Sequence, residues 1–408
     1  MAREITINLG YLLYGEEFEI ISSCNLSIDI ETGVITSIGS GWRGGAIELK
    51  WAIAIPSLAN LHIHTADYAF QEAGLELTLH ELVSEPNGLK HKLLKTIDHN
   101  LMVKAIRKVL LELISQGVAL AIDFREGGLR GIKIAKEASK DTPITYIPLC
   151  RPTLRPVNED ELLELRRLSN GVGISTPVAY TEKDLNLMYT VFKDGIRATH
   201  VAEDPKCHEL GDYELAANKF KANIIVHGVH LDPHEISDLS QRKILLVLCP
   251  RSNLWFSAGI PPIAKFIEKG VLLALGTDNA GWIKPDIWRE LETTWNIIRL
   301  QKPTYSNAKL LLSMVTLNPA RTLKTLNIGD YDGIVKEGAK ANIIFASIHD
   351  LGLEFSHNKY ASIIKRCSKN AIKTVMYQGL VVKTLSNLYD MFKDRKMLHR
   401  IVSNNSRV

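Results

Sequence analysis

Five cysteines are spread over 408 residues, at Cys24, Cys150, Cys207, Cys249 and Cys367, and no two of them are spaced as C-x-x-C. An odd, scattered set excludes a disulfide framework and a zinc knuckle, and it fits a cytoplasmic chain in a reducing compartment. Long apolar runs are missing as well. Stretches such as Lys243 to Cys249 and Val271 to Leu275 fall far short of the ~20 residues of a membrane-spanning helix, so no membrane partner is expected. Met1 to Asn8 lack the basic-then-apolar layout of a signal peptide. Charge of one sign is scarce too: the net charge is +4 at pH 7 with no long basic run, which leaves little of the electrostatic footprint that nucleic-acid binding requires. With 46% hydrophobic and 23% charged residues the composition is that of ordinary globular proteins, so disordered, collagen-like and coiled-coil chains are excluded.

The first 50 or so residues carry short alternating runs, Glu4–Leu9, Phe18–Ile30 and Val34–Ile38, that predict half-buried antiparallel strands. From Trp51 the rhythm changes to short continuous apolar runs, each followed by a segment with helical spacing. Eight such runs are present: Ala52–Leu61, Ala119–Asp123, Ile144–Leu149, Gly171–Ser175, Ile196–His200, Asn223–His227, Ile244–Cys249 and Leu272–Gly276. Amphipathic stretches such as Val103–Gln116, Glu159–Leu168, Glu182–Phe192 and Pro261–Lys269 lie between them. Eight alternations predict an α/β chain folded as a (β/α)8 TIM-like barrel, where an open doubly wound sheet would stop at five or six. Strand patterns return at Ala341–Ser347 and Ala371–Lys383. Strands at both ends cover one another's edges most economically as one small β-sandwich. The tail from Leu385, basic around Lys393–Arg400, reads as a solvated helix packed on the surface, without a ligand role.

Candidate chemistry gathers at the ends of the predicted barrel strands. His62 and His64 are two apart at the end of the first run, so both imidazoles point to one side. The fifth run ends at His200 with Glu203 three residues on, the sixth at His227, and the eighth leads to Asp278. Strand C-termini are where barrel enzymes build their active sites, and imidazoles with a carboxylate suit zinc or ferrous iron. Arg125 and Arg151 follow the second and third runs on the same side. Each guanidinium is a candidate fork for an acceptor group on the substrate, or a brace paired with Asp123 and Glu126 across the rim.

Together, His62-x-His64 behind Pro56-Ser57-Leu58, His200-x-x-Glu203, His227, Cys249-Pro250-x-Ser252-Asn253, Gly276-Thr277-Asp278 and Asn318-Pro319-Ala320-Arg321 resemble the amidohydrolase superfamily, in the branch of cytosine, guanine and S-adenosylhomocysteine deaminases. The likeness covers nearly the whole chain and takes in Gly333–Phe345 as a closing strand of the sandwich, with Asn342 where the family commonly has Asp. It implies a composite sandwich domain of residues 1–50 and 333–383, a catalytic barrel of 51–332 and a tail of 384–408. It further implies one divalent metal held by His62, His64, His200 and Asp278, zinc first and ferrous iron second, with Glu203 and His227 beside it. The two-metal branch needs a lysine at the end of the fourth strand, and here that end reads Gly171-Val172-Gly173-Ile174-Ser175-Thr176-Pro177.

The set is chemically coherent. A bound divalent cation lowers the pKa of its water from about 15.7 toward about 7. Asp278 can accept the proton released, His227 can orient the hydroxide, and a protonated Glu203 can supply the ring nitrogen of an attacked C=N unit. The expected function is therefore metal-dependent hydrolytic deamination of an aminated nitrogen heterocycle, with Glu203, His227 and Asp278 catalytic. The alternatives are hydrolysis of a cyclic amide, imidazolone or triazine at the same site, and a catalytically silent binding subunit. The expected partner is a small heterocyclic substrate; homo-oligomerisation is left open. The long insertion Thr65–Asn100 after the first strand is expected to form a rim or lid.

Overall fold

The computed structural model describes residues 4–393, 397 and 398. Met1 to Arg3, at the start of the segment read for a signal peptide, and most of the basic stretch Lys393–Arg400 lie outside the described residues.

Two sheets organise the chain. The first takes β1 (Glu4–Tyr14), β2 (Glu19–Asp29), β3 (Val34–Ser40) and β4 (Ile47–Pro56) from the N-terminal part. The barrel sheet follows with β5 (Leu58–His64), β6 (Val118–Arg125), β7 (Thr145–Cys150), β8 (Gly171–Ile174), β9 (Ile196–Val201), β10 (Ile224–His227), β11 (Leu245–Leu248), β12 (Leu273–Leu275) and β13 (Asp278–Asn279). The chain then returns to the first sheet with β14 (Ile343–Ser347), β15 (Ile372–Tyr377) and β16 (Leu380–Lys383).

In the barrel, neighbours run in sequence order from β5 to β12, and every pairing is parallel. β12 and β13 are one strand interrupted at Gly276-Thr277, and β13 pairs back onto β5 through Asp278↔Ile63 and Asn279↔His64, so the sheet closes into the expected (β/α)8 barrel. Every residue of β6 is buried, as in a parallel strand covered on both faces, which is why its first five residues, Val118 to Ile122, read in the sequence as a continuous apolar run. The helix His99–Ser115, capped by Asp98 accepting from the Leu101 N–H, buries Met102, Ile106, Val109, Leu110 and Leu113 at helical spacing against the sheet.

One expected strand divides. The run Ala52–Leu61 splits at Ser57, whose N–H donates to the Asn342 carbonyl at 3.0 Å. β4 stays in the first sheet, paired with β1 and β14, while β5 opens the barrel. Continuous apolarity cannot reveal a change of sheet, and Pro56, which has no N–H, ends the β4 ladder. The small sheet thus extends to Pro56, past the boundary expected at residue 50.

That sheet is a single mixed array in the order β16-β15-β14-β4-β1-β2-β3. It curls until Ile35 N–H reaches the Ala339 carbonyl at 2.9 Å and Ala341 N–H reaches Gly33 at 2.8 Å, enclosing a core of Ile7, Leu9, Leu26, Leu49 and Phe345. The tail helix forms at Ser386–Lys393 and packs on the small sheet more deeply than a surface helix, with Leu388 and Met397 buried in this core and Val381 N–H donating to the Met397 carbonyl. Among the described residues no helix is long and apolar enough to cross a membrane.

Candidate metal centre

His62 and His64 project from β5, His200 from β9 and Asp278 from β13, and one ligand atom from each lies within 4.8 Å of the others. His62 Nε2 is 3.1 Å from Asp278 Oδ1, and His64 Nε2 is 3.5 Å from the same oxygen and 3.3 Å from His200 Nε2. Donor orientation fixes which atoms are free. His200 Nδ1 donates to the Ile174 carbonyl at 3.1 Å, which leaves its Nε2 as a bare lone pair. Ser252 Oγ donates to Asp278 Oδ2 and leaves Oδ1 turned toward the histidines. Burial holds the His62 and His200 imidazoles below their ordinary range and, with the charge of Lys90, pushes His64 down to about 3. Three neutral imidazoles and a carboxylate oxygen converging in a buried space form a donor set that fits zinc or ferrous iron.

Glu203 and His227 stand beside this set, and their ligand-type atoms form a second group with Asp278 within 4.8 Å. His227 has φ 77° and Asp278 φ 59°, left-handed conformations that non-glycine residues seldom adopt and that cluster at functional sites. Asn253 Nδ2 donates to His227 Nδ1 at 2.9 Å, so the ring proton sits on Nε2. That nitrogen has no hydrogen-bond partner and faces Glu203 Oε2 at 3.6 Å. Burial raises the Glu203 carboxyl to about 7 against the opposing pull of His227. The centre opens into a cavity of about 230 Å³ whose wall includes His64, Glu126, Arg151, His200, Glu203 and Asp278.

Residues 53–382 match the amidohydrolase family. The chain belongs to that family. An uncharacterised protein of Methanocaldococcus jannaschii is 33% identical over 378 residues, covering 88% of this chain and 94% of the relative. A 5-methylthioadenosine/S-adenosylhomocysteine deaminase of Thermococcus sibiricus is 26% identical over 93% of both chains. Among solved structures, an adenosine deaminase from Xanthomonas campestris with bound zinc superposes with a TM-score of 0.78 at 17% identity, covering 98% of each chain.

In this amidohydrolase the insertion after β5 forms short helices, Leu79–Val83 and Leu89–Thr96, that wall the cavity with Leu79, Val83, Glu85 and Lys90. The two arginines separate. Arg151 lines the cavity, paired with Glu85 at 2.6 Å, and its buried Nη2 has no hydrogen-bond partner. Arg125 is held by Glu126 at 2.7 Å and Asp123 at 3.4 Å and, together with Arg151, lines an adjoining cavity of about 460 Å³. It braces the β6 exit and does not reach the space above the histidines. Burial pushes the Cys150 and Cys249 thiols upward, which leaves them inert. Sequence reasoning gave no role to Ser252, Asn253 or Lys90, and only a bracing one to Glu126. The first two lie in the Cys249-Pro250-x-Ser252-Asn253 motif, which signalled them without a function. Glu126 read only as a bracing partner for Arg125 and Arg151, and Lys90 carried no local signal.

Proposed function

We propose that this amidohydrolase is a metal-dependent hydrolytic deaminase of an aminated nitrogen heterocycle. The observation that carries the reading is the convergence of Glu203, His227 and Asp278 on the space served by the ligand set, at the base of a recessed cavity. His62, His64, His200 and Asp278 would hold a divalent ion, zinc being favoured by the Xanthomonas structure, and such an ion supplies a nucleophile from water at neutral pH.

The chain's own groups do the rest. Asp278, steadied through Oδ2 by Ser252, takes the proton that water gives up. His227 Nε2–H, its tautomer fixed by Asn253, aims the attacking oxygen at the ring carbon. Glu203 hands its proton to the adjacent ring nitrogen, Asp278 passes the proton taken from water to the amine, and the amine leaves as ammonia as the hydroxyl becomes a carbonyl and its proton returns to Glu203. Arg151 Nη2 offers a donor to an acceptor group elsewhere on the substrate. The names of the Thermococcus and Xanthomonas proteins favour a purine nucleoside-like ring.

The test is ammonia release by zinc-reconstituted protein across aminated purines, pyrimidines and their nucleosides. Release from one of them is the expected result. Opening of cyclic amides or imidazolones with no ammonia from any amine would replace this reading with the alternative hydrolase.

A further inference from the structure

We propose that Glu126 is a positioning residue for the metal ligand His64, and that Lys90, delivered by the insertion, locks it in place. The inference rests on the metal-site reading above. His64 presents Nε2 to the ligand cluster, and behind the ring its Nδ1 lies 2.8 Å from Glu126 Oε1. A carboxylate at that nitrogen draws the ring proton to Nδ1, leaves Nε2 bare and makes it a stronger ligand. The Ile174 carbonyl serves His200 in the same way, while the Ser252 hydroxyl orients Asp278 by donating to its Oδ2. Glu126 is the charged member of this outer set.

A buried carboxylate needs its own partners. Glu126 has three cations around it: Lys90 Nζ at 2.9 Å, Arg125 Nη2 at 2.7 Å and Arg151 Nη1 at 3.7 Å. Lys90 is 3% exposed, unusual for a lysine. Its other contacts are Asp67 at 2.8 Å, three residues beyond His64, and Asn279 at 3.2 Å, the residue after Asp278. One ammonium therefore ties the exits of β5, β6 and β13 to the helix Leu89–Thr96. These strands carry three of the four ligands, so seating this helix and shaping the metal site are one event.

The competing account is that the cluster only stabilises the fold. Zinc alone, without substrate, separates the two. Zinc affinity of the full chain is measured by chelator competition, and melting temperatures are taken with and without zinc. Glu126→Gln keeps the volume, and its zinc affinity is expected to fall roughly 10–100-fold, with a smaller zinc-induced rise in melting temperature than in the parent. Lys90→Met leaves Glu126 in place but unlocked, and a loss of about tenfold is expected, so the inference stays testable if the first variant does not fold. Equal lowering of both melting temperatures with parental zinc affinity in the folded variants would overturn it. Failure of the parent chain itself to bind zinc would instead overturn the metal-site reading.

Discussion

Gly276 stands at the seam where the barrel closes, and replacing it by alanine should damage the fold and the metal centre together. A Cβ there would sit 2.6 Å from His62 Cβ, 2.8 Å from the His62 carbonyl oxygen and 2.9 Å from its nitrogen. Carbon atoms in contact prefer about 3.5–4.0 Å, so β5 and the β12–β13 connection must part by about 1 Å. None of the three crowding atoms is the end of a flexible side chain. The parting stretches the Thr277 N–H to His62 carbonyl bond of 2.9 Å. Overpacking of this kind costs about 1–3 kcal/mol, and a weakened backbone hydrogen bond adds about 1. At about 2–4 °C per kcal/mol for domains of 150–250 residues, and less in a longer chain, the melting temperature should drop by roughly 5 °C. Because the displaced residue is the ligand His62, metal retention after dialysis should fall as well. The control is Gly44→Ala, whose Cβ meets nothing within 4 Å and which should be silent. Calorimetry and elemental analysis read both effects. A Gly276→Ala protein with parental melting temperature and full metal content would refute the reasoning.

Elemental analysis should find one divalent metal per chain, and His62→Ala combined with His64→Ala should abolish it; two stoichiometric metals would contradict the site. Glu203→Gln should lose turnover of the eventual substrate while metal content stays at the parental level, since Glu203 is proposed to move protons without holding the ion. Asp212 accepts the Ala202 N–H at 2.7 Å, and burial raises its carboxyl to about 6. A raised carboxyl favours the folded state below its unfolded value of 3.8, and that advantage is lost as pH climbs through 6. Asp212→Asn keeps an acceptor without the charge, so its stability relative to the parent should improve between pH 4 and pH 7, by about 2 kcal/mol at most. Thermal melts at the two pH values check the sign.

The parts of the site that were legible in the sequence are those where local periodicity dictates direction. His62 and His64 share a strand face because strands repeat every two residues, and His200, His227 and Asp278 fall at strand ends because each follows a short apolar run. The eight-fold alternation showed the barrel for the same reason. What stayed hidden depends on partners distant in the chain. Nothing around Lys90 announces that an insertion helix will bury it against Glu126 and Asn279. Arg125 and Arg151 looked equivalent after neighbouring strands, yet of the two only Arg151 lines the cavity at the metal centre. The division at Ser57 was invisible because both sheets demand the same apolar residues. The packing of Met397 into the small sheet could not be read from a tail whose composition is basic.

Closure of the barrel through Asp278 and Asn279 also sets an order for biosynthesis. As the chain leaves the ribosome, β5 presents an open edge until residue 278 has emerged, more than two hundred residues after His62. β4 waits longer still, for Ile343, before its own free side is paired. Unpaired edges are templates for association with other chains, and a half-made barrel keeps them exposed throughout its synthesis. The first ligands made are thus separated from the last by nearly the whole barrel. A chain stopped before β13 can neither shut its sheet nor present a complete set of donors, so no truncated product can compete with the finished protein for metal on equal terms.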